Sequence, residues 1–136
     1  MNARTLRVGA VQMASENGAL EASLARATRL VREAADRGAT LIVLPELFSQ
    51  GYWLCEKAWD LAELQGGKTE RWLCETAVSL GVYIGGSYLQ ARGEDFYNVF
   101  ALAGPAGQIC GRVPKERPGS HRAPAGAPPI KAPSMC

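Results

Sequence analysis

The apolar positions of this 136-residue chain follow two different spacings. Between 20 and 36, Leu20, Leu24, Ala27, Val31 and Ala34 or Ala35 recur at helical spacing, with Glu and Arg filling the opposite face. Gly38 then stands where a left-handed residue would stop the helix. On either side lie short apolar runs: residues 6–13, with Leu6, Val8, Ala10, Val11 and Met13, and residues 41–44, ended by Pro45. The second run is continuous, as in a parallel strand covered on both faces. Strand, helix, glycine and strand make a βαβ unit, which places parallel strands side by side with a right-handed crossover.

Further on, Trp72, Leu73, Ala77 and Leu80 predict a second helix over 70–80, with Thr69 as its cap and Gly81 at its end. A strand follows over 82–88. Its Gly85 and Gly86 either admit another backbone at close range or mark a bulge. Residues 97–102 and 108–113 are two more strands, and Gly104, Pro105 and Gly107 between them predict an antiparallel hairpin. Trp53, Leu54, Trp59, Leu61 and Leu64 suggest a short helix and loop sheltering a pocket. After Pro118 the composition changes: residues 119–136 are dominated by Ala, Pro and Gly, which exclude a helix or central strand and predict a disordered or loosely extended tail.

Composition narrows the function classes. A net charge of +2, with basic residues not gathered into a stripe with aromatics, gives no support for a nucleic-acid partner. No apolar run reaches bilayer length and the start lacks a secretory leader pattern, so the expectation is a cytoplasmic protein with no membrane partner. Cys55, Cys74, Cys110 and Cys136 are scattered and His121 is the single histidine, which supports neither a metal site nor a disulfide framework.

Two polar residues carry candidate chemistry. Glu46 sits behind the strand-ending Pro45, at the rim where sheets of alternating strands and helices bind ligands, with Phe48, Gly51 and Tyr52 after it. It is either a pocket corner or the cap of a loop. Lys115 follows the last predicted strand in a comparable position, and it reads either as an oxyanion-stabilising cation beside a carboxylate or as a solvated loop lysine among Arg112, Glu116 and Arg117. Gly66, Gly67, Lys68 and Thr69 look like the end of a phosphate-binding loop, but Ala62 stands where that motif needs its first glycine. No dinucleotide fingerprint and no nucleophile-elbow serine is present, and no cofactor is expected.

The stretches VGAVQM, AADRGATLIVLPELF with SQGY behind it, YNVFALAGPAGQICGRV and the following PK, in that order over about residues 6–118, resemble the nitrilase or carbon-nitrogen hydrolase superfamily. The resemblance implies an α/β fold, the N-terminal portion of an α-β-β-α sandwich whose complete members form homo-oligomers. It divides the chain into a partial hydrolase domain over 1–118 and a Pro/Ala-rich segment over 119–136, disordered or out of frame. It also implies hydrolysis of a small-molecule amide, carbamoyl compound or nitrile by a Glu-Lys-Cys triad. By this likeness Glu46 is the general base, Lys115 the oxyanion-stabilising lysine and Tyr52 a substrate-binding wall. None of the four cysteines has the setting of the family's nucleophile. Cys55 and Cys74 precede Lys115, Cys110 reads as core packing within a strand, and Cys136 ends the proline-rich segment. The second glutamate that the family often places after the lysine is missing as well. The expectation is therefore a hydrolase portion lacking its nucleophile and inactive alone, the alternative being a non-catalytic module that pairs through an exposed sheet.

Overall fold

The computed structural model describes residues 5–52 and 56–115. The segments 53–55 and 116–136 lie outside them, and with them the expectations for Trp53, Leu54, Cys55, His121, Cys136 and the proline-rich tail.

Helix α1 spans Leu20–Asp36, the range that the apolar spacing predicts, and buries Ser23, Leu24, Ala27 and Val31. It stops as the sequence suggests. Gly38 takes φ +88°, and the N–H groups of Gly38 and Ala39 reach back to the carbonyls of Ala35 and Ala34 at 2.8 and 3.1 Å. Strands β1 (Val8–Ala10) and β2 (Leu41–Val43) flank it and pair in parallel, Gly9 opposite Ile42. β1 is shorter than the expected 6–13, and at its C-terminal side it ends because its partner β2 runs into Pro45. One further bond, Val11 N–H to the Val43 carbonyl at 2.9 Å, follows before the chains part.

A 3-10 helix at Glu56–Leu61 leads to helix α2, Lys68–Leu80. The expected Thr69 cap is corrected here. Gly67 is the cap residue, and Thr69 lies inside the helix with its N–H bonded to the Glu63 carboxylate at 2.8 Å. The N–H of Gly66 is taken by Glu70 Oε2 at 2.9 Å. In this glycine-rich turn, two N–H donors that a phosphate would use already hold carboxylates, consistent with the rejection of a phosphate loop.

Strands β3 (Tyr83–Arg92), β4 (Asp95–Ala103) and β5 (Ile109–Pro114) complete a five-stranded sheet in the order β1-β2-β3-β4-β5. β2 and β3 are parallel, and β3-β4-β5 is an antiparallel meander that includes the expected hairpin. β3 runs four residues beyond the expected end at 88. Leu89, Gln90, Ala91 and Arg92 have little strand character of their own, but β4 pairs with each of them up to a two-residue turn at Gly93 and Glu94.

Register sorts the residues onto two faces. Gly9, Ile42, Ile84 and Ala103 form one row, and the parallel row Gly86–Ala101–Arg112 shares its face. That face meets the helices: Ile42, Leu73, Ala77, Ile84, Tyr88, Val99, Ala101 and Ala103 form the core with Phe48, Leu24 and Val31. On the other face Val8, Tyr83 and Val113 remain 53, 43 and 65% exposed, so the described residues build one sheet layer and one helix layer.

Gly85 and Gly86 serve neither of the two expected purposes. Aromatic rings occupy the space their side chains would take: Phe100 lies over Gly85 on the open face, and Phe48 over Gly86 on the helix face. The irregularity of the sheet lies instead between Leu102 and Ala103, opposite β5.

A buried ion pair ties the layers together. Glu70, 2% exposed, takes Nε and Nη2 of Arg112 at 2.7 and 2.8 Å, and its Oε1 also accepts the Tyr88 hydroxyl at 2.7 Å. Burial pushes the Glu70 carboxyl upward, but the bonds from Arg112, Tyr88 and the Gly66 N–H together with the Arg112 charge outweigh it, and the net shift is below the ordinary value. The same environment raises the Tyr88 phenol, by burial first and the Glu70 bond second.

Two stability measurements follow from this packing. A Cβ at Gly86 would lie 2.7 Å from Phe48 Cε1 and 3.2 Å from Leu44 Cβ. Gly86→Ala is therefore expected to lower unfolding free energy by about 1–3 kcal/mol in urea titration, and an unchanged midpoint would remove the packing argument. For Glu70 the depressed carboxyl contributes stability that is present above the ordinary value of 4.5 and is lost as pH falls through the lowered folded-state value. Glu70→Gln is expected to cost about 2 kcal/mol near neutrality, with the gap to the parent closing on acidification. A gap constant down to the acid end would contradict the assignment.

Candidate functional site

The chain leaves β2 through Leu44, whose N–H still bonds the Gly85 carbonyl at 2.8 Å, and Pro45 ends the ladder. The next residues must turn sharply. Leu47 adopts φ +50°, a left-handed conformation that is unfavourable for a branched side chain, and its N–H is held by Ser87 Oγ at 2.9 Å. The turn closes with Gly51 N–H on the Leu47 carbonyl at 2.8 Å. Gly51 itself has φ +86°, and a Cβ there would lie 3.1 Å from Asn17 Cα, so only glycine fits.

This turn sends the side chains of Glu46 and Phe48, two positions apart, to opposite sides. Phe48 is fully buried in the core and meets Trp72 with ring centroids 5.5 Å apart, while Glu46 projects over the open face of the sheet. There it meets β4 and the end of β5. Asn98, whose neighbour Val99 points into the core, donates from Nδ2 to Glu46 Oε1 at 2.6 Å, and Lys115 Nζ donates to the same oxygen at 2.8 Å. The Lys115 backbone N–H bonds the Asn98 carbonyl at 2.8 Å, extending the β4-β5 ladder by one residue.

Buried polar side chains clamp the far end of the turn. Gln50, 4% exposed, accepts the Leu89 N–H at 3.0 Å and donates to the Leu61 carbonyl at 3.2 Å and Glu63 Oε2 at 3.1 Å. The Thr69 hydroxyl bonds Glu63 and lies 2.9 Å from Ser49 Oγ. Through these bonds the residues after Glu46 are tied to β3 and to the first turn of α2.

The structure thus brings Glu46 and Lys115, 69 positions apart in sequence, into direct contact. The solvated-lysine alternative is met only in part: Lys115 keeps 64% of its side chain exposed and Glu46 42%, yet they are paired. The expected shelter is absent among the described residues. No residue of the 3-10 helix is buried, Trp59 packs against Phe96 with centroids 4.9 Å apart, and Leu64 is 70% exposed. Tyr52 is 62% exposed, and the Lys115 ammonium is shifted from its ordinary value. That shift is upward and comes first from the hydrogen bond to Glu46, then from the Glu46 charge. Asn98 was missed by sequence reasoning, although its period-two placement beside Val99 in a half-buried strand was available.

The two described cysteines are elsewhere. Cys74 is on α2, on the helix side of the sheet, with its thiol pushed up by burial first and by the Glu70 charge next. Cys110 is exposed, which corrects its expected role in the core, and its five-residue separation from Lys115 along the edge of the sheet amounts to roughly 16 Å at strand rise. No cluster of three or more His, Cys, Asp or Glu able to hold a metal occurs among the described residues. No described helix is long and apolar enough to cross a membrane.

The mixed five-stranded α/β layer is an architecture that this chain shares with known relatives. The carbon-nitrogen hydrolase family matches residues 7–126, and the chain belongs to that family. It is 34% identical over 107 residues to a nitrilase of Pyrococcus abyssi, covering 76% of this chain and 41% of that protein. It is 39% identical over 88 residues to an omega-amidase of Danio rerio, covering 64% and 31%. Among solved structures, a CN-hydrolase superfamily protein of Xanthomonas campestris, crystallised with an arsenic adduct in its active site, superposes with a TM-score of 0.74 at 27% identity, over 82% of this chain and 41% of that one. The chain therefore spans less than half the length of each of these three relatives.

The raised Lys115 ammonium supplies a direct check on the pair. Its contribution to stability is fully present below the unfolded-state value and is lost as pH rises through the higher folded-state value. In Glu46→Gln the Lys115 titration, followed by NMR at Nζ, is expected to move back down toward the ordinary lysine range. An unmoved titration would mean that the two side chains are not paired in solution.

Proposed function

We propose that this chain carries the general base and the oxyanion-stabilising lysine of an amide or nitrile hydrolase, and that these residues do not turn over substrate without a cysteine from elsewhere. The observation that carries the reading is the 2.8 Å contact between Lys115 Nζ and Glu46 Oε1 on the open sheet face of a carbon-nitrogen hydrolase fold. In this reading Glu46 accepts the proton of a thiol as the sulfur attacks the amide carbon, and the Lys115 ammonium stabilises the negative oxygen of the tetrahedral intermediate. Glu46 then returns the proton to the departing amine and activates the water that opens the thioester. Tyr52, exposed where the chain leaves the turn after Glu46, would form one wall for the substrate.

Among the described residues no cysteine stands beside the pair as its nucleophile. Neither Cys74, behind the sheet, nor Cys110, far along β5, is placed to reach the pair. A thiol with a raised pKa such as Cys74 is also the less reactive form. The activities that name the relatives, nitrilase and omega-amidase, support a small amide or nitrile as the substrate class.

A second reading rests on a separate observation. The open face exposes Val8, Tyr83 and Val113, and β1 has an unpaired edge among the described residues. A chain that pairs through this surface without catalysis would present the same features.

One experiment separates the readings. The purified chain is assayed for ammonia release from simple amides, alone and mixed with the complementary C-terminal segment of an omega-amidase that supplies a cysteine. No turnover is expected alone. Thiol-sensitive turnover is expected in the mixture, falling by about a hundredfold or more with Glu46→Gln or Lys115→Met. Co-elution without activity would favour the pairing module, and turnover by the chain alone would overturn the proposal.

A further inference from the structure

We propose that Asn98 is the positioning residue of the pair, and that it directs the chemistry to one oxygen of Glu46. The inference rests on the reading of Glu46 as a base and deepens it. Asn98 Nδ2 and Lys115 Nζ both donate to Oε1, at 2.6 and 2.8 Å, and no described residue donates to Oε2. Two donors on one oxygen fix the plane of the carboxylate and leave the lone pairs of the other free. Oε2 is then the atom that takes the proton.

Asn98 can do this because it holds both partners at once. Its backbone carbonyl accepts the Lys115 N–H at 2.8 Å, which sets where the lysine leaves the strand, while its side-chain amide sets where the carboxylate stops. The amide must present Nδ2 rather than Oδ1 to Glu46, since two acceptors face to face would repel. The need for such an anchor follows from exposure. A carboxylate and an ammonium that are 42 and 64% exposed hold each other weakly, because solvent screening and rotamer freedom compete with the contact. A short, rigid amide on a strand whose next residue, Val99, is fully buried gives the carboxylate a fixed second point. Asp at this position would place a like charge on Glu46, and an apolar residue would offer no donor.

The test uses the whole chain and needs no turnover. Lys115 Nζ and the backbone amides of β4 and β5 are followed by NMR in the parent, Asn98→Leu and Glu46→Gln. In Asn98→Leu the strand amides are expected to stay in place, because the ladder bond uses the backbone carbonyl, while the Lys115 titration falls toward the ordinary lysine range as it does in Glu46→Gln. A purely structural role for Asn98 would leave that titration where it is, and this result would overturn the proposal. Should Asn98→Leu fail to fold, the parent supplies the second measurement. The Asn98 side-chain amide protons are expected to exchange more slowly than those of exposed Asn17 and to lose that protection in Glu46→Ala, and equal exchange would overturn the proposal. If Glu46→Gln itself leaves Lys115 unmoved, the base–lysine pair is what fails, a result separable from either outcome at Asn98.

Discussion

The turn after β2 has to serve both faces of the sheet within three residues. Glu46 must stand over the open face and Phe48 must enter the core on the other, and an extended strand cannot do both in the required directions once Pro45 has ended its ladder. The structure resolves this by placing Leu47 in left-handed backbone, a conformation that persists only when its surroundings determine it. Those surroundings are specific: Ser87 Oγ on the Leu47 N–H, the ring of Phe48 filling the space above Gly86, and Gly51 packed against Asn17. Strain at one residue is offset by burial at the next.

Buried polar groups do the remaining work of fixing layers against each other. Gln50, Glu63 and Thr69 bind the turn to β3 and to the start of α2, and Glu70 with Arg112 and Tyr88 binds α2 to the meander. In both clusters a carboxylate also accepts a backbone N–H at the helix start: Glu63 takes that of Thr69 in the first turn, and Glu70 that of Gly66 just before the cap residue. Their geometry is therefore shared between holding a helix end and holding the sheet. Lys115 and Glu46 differ in kind: they are exposed, they hold no secondary structure through their side chains, and they face the uncovered side.

Much of this fold was legible in the residues. The helical spacing from Leu20 to Asp36 gave α1 with its bounds, since a 17-residue amphipathic stretch with a glycine stop has few competing readings. The βαβ order and the hairpin around Gly104 to Gly107 were equally plain. What failed were features decided by partners distant in sequence. β1 is limited by the length of β2, and β3 is extended by β4 through residues with weak strand preference. Thr69 looked like a cap because the competing acceptor, Glu63, reaches it only through the fold of the preceding turn. Cys110 alternated into the core only if β5 were regular, and the register slip at Leu102 and Ala103 lies beside it. At the site, Glu46 and Lys115 could be named from their places behind strand ends, but Asn98 looked like any polar strand residue.

The meander has a bearing on the order in which the molecule assembles. β3, β4 and β5 are joined by short turns, so Asn98 and Lys115 can meet through local contacts, whereas Glu46 reaches them across sequence separations of 52 and 69 by way of a parallel crossover. Local pairings close quickly and distant parallel ones late. The carboxylate therefore arrives at a cradle that already exists, and its bonds belong to the final stage of folding. Interactions made that late act on the rate at which the native state opens rather than on the rate at which it forms. The residues proposed for chemistry would then double as a latch on the finished chain.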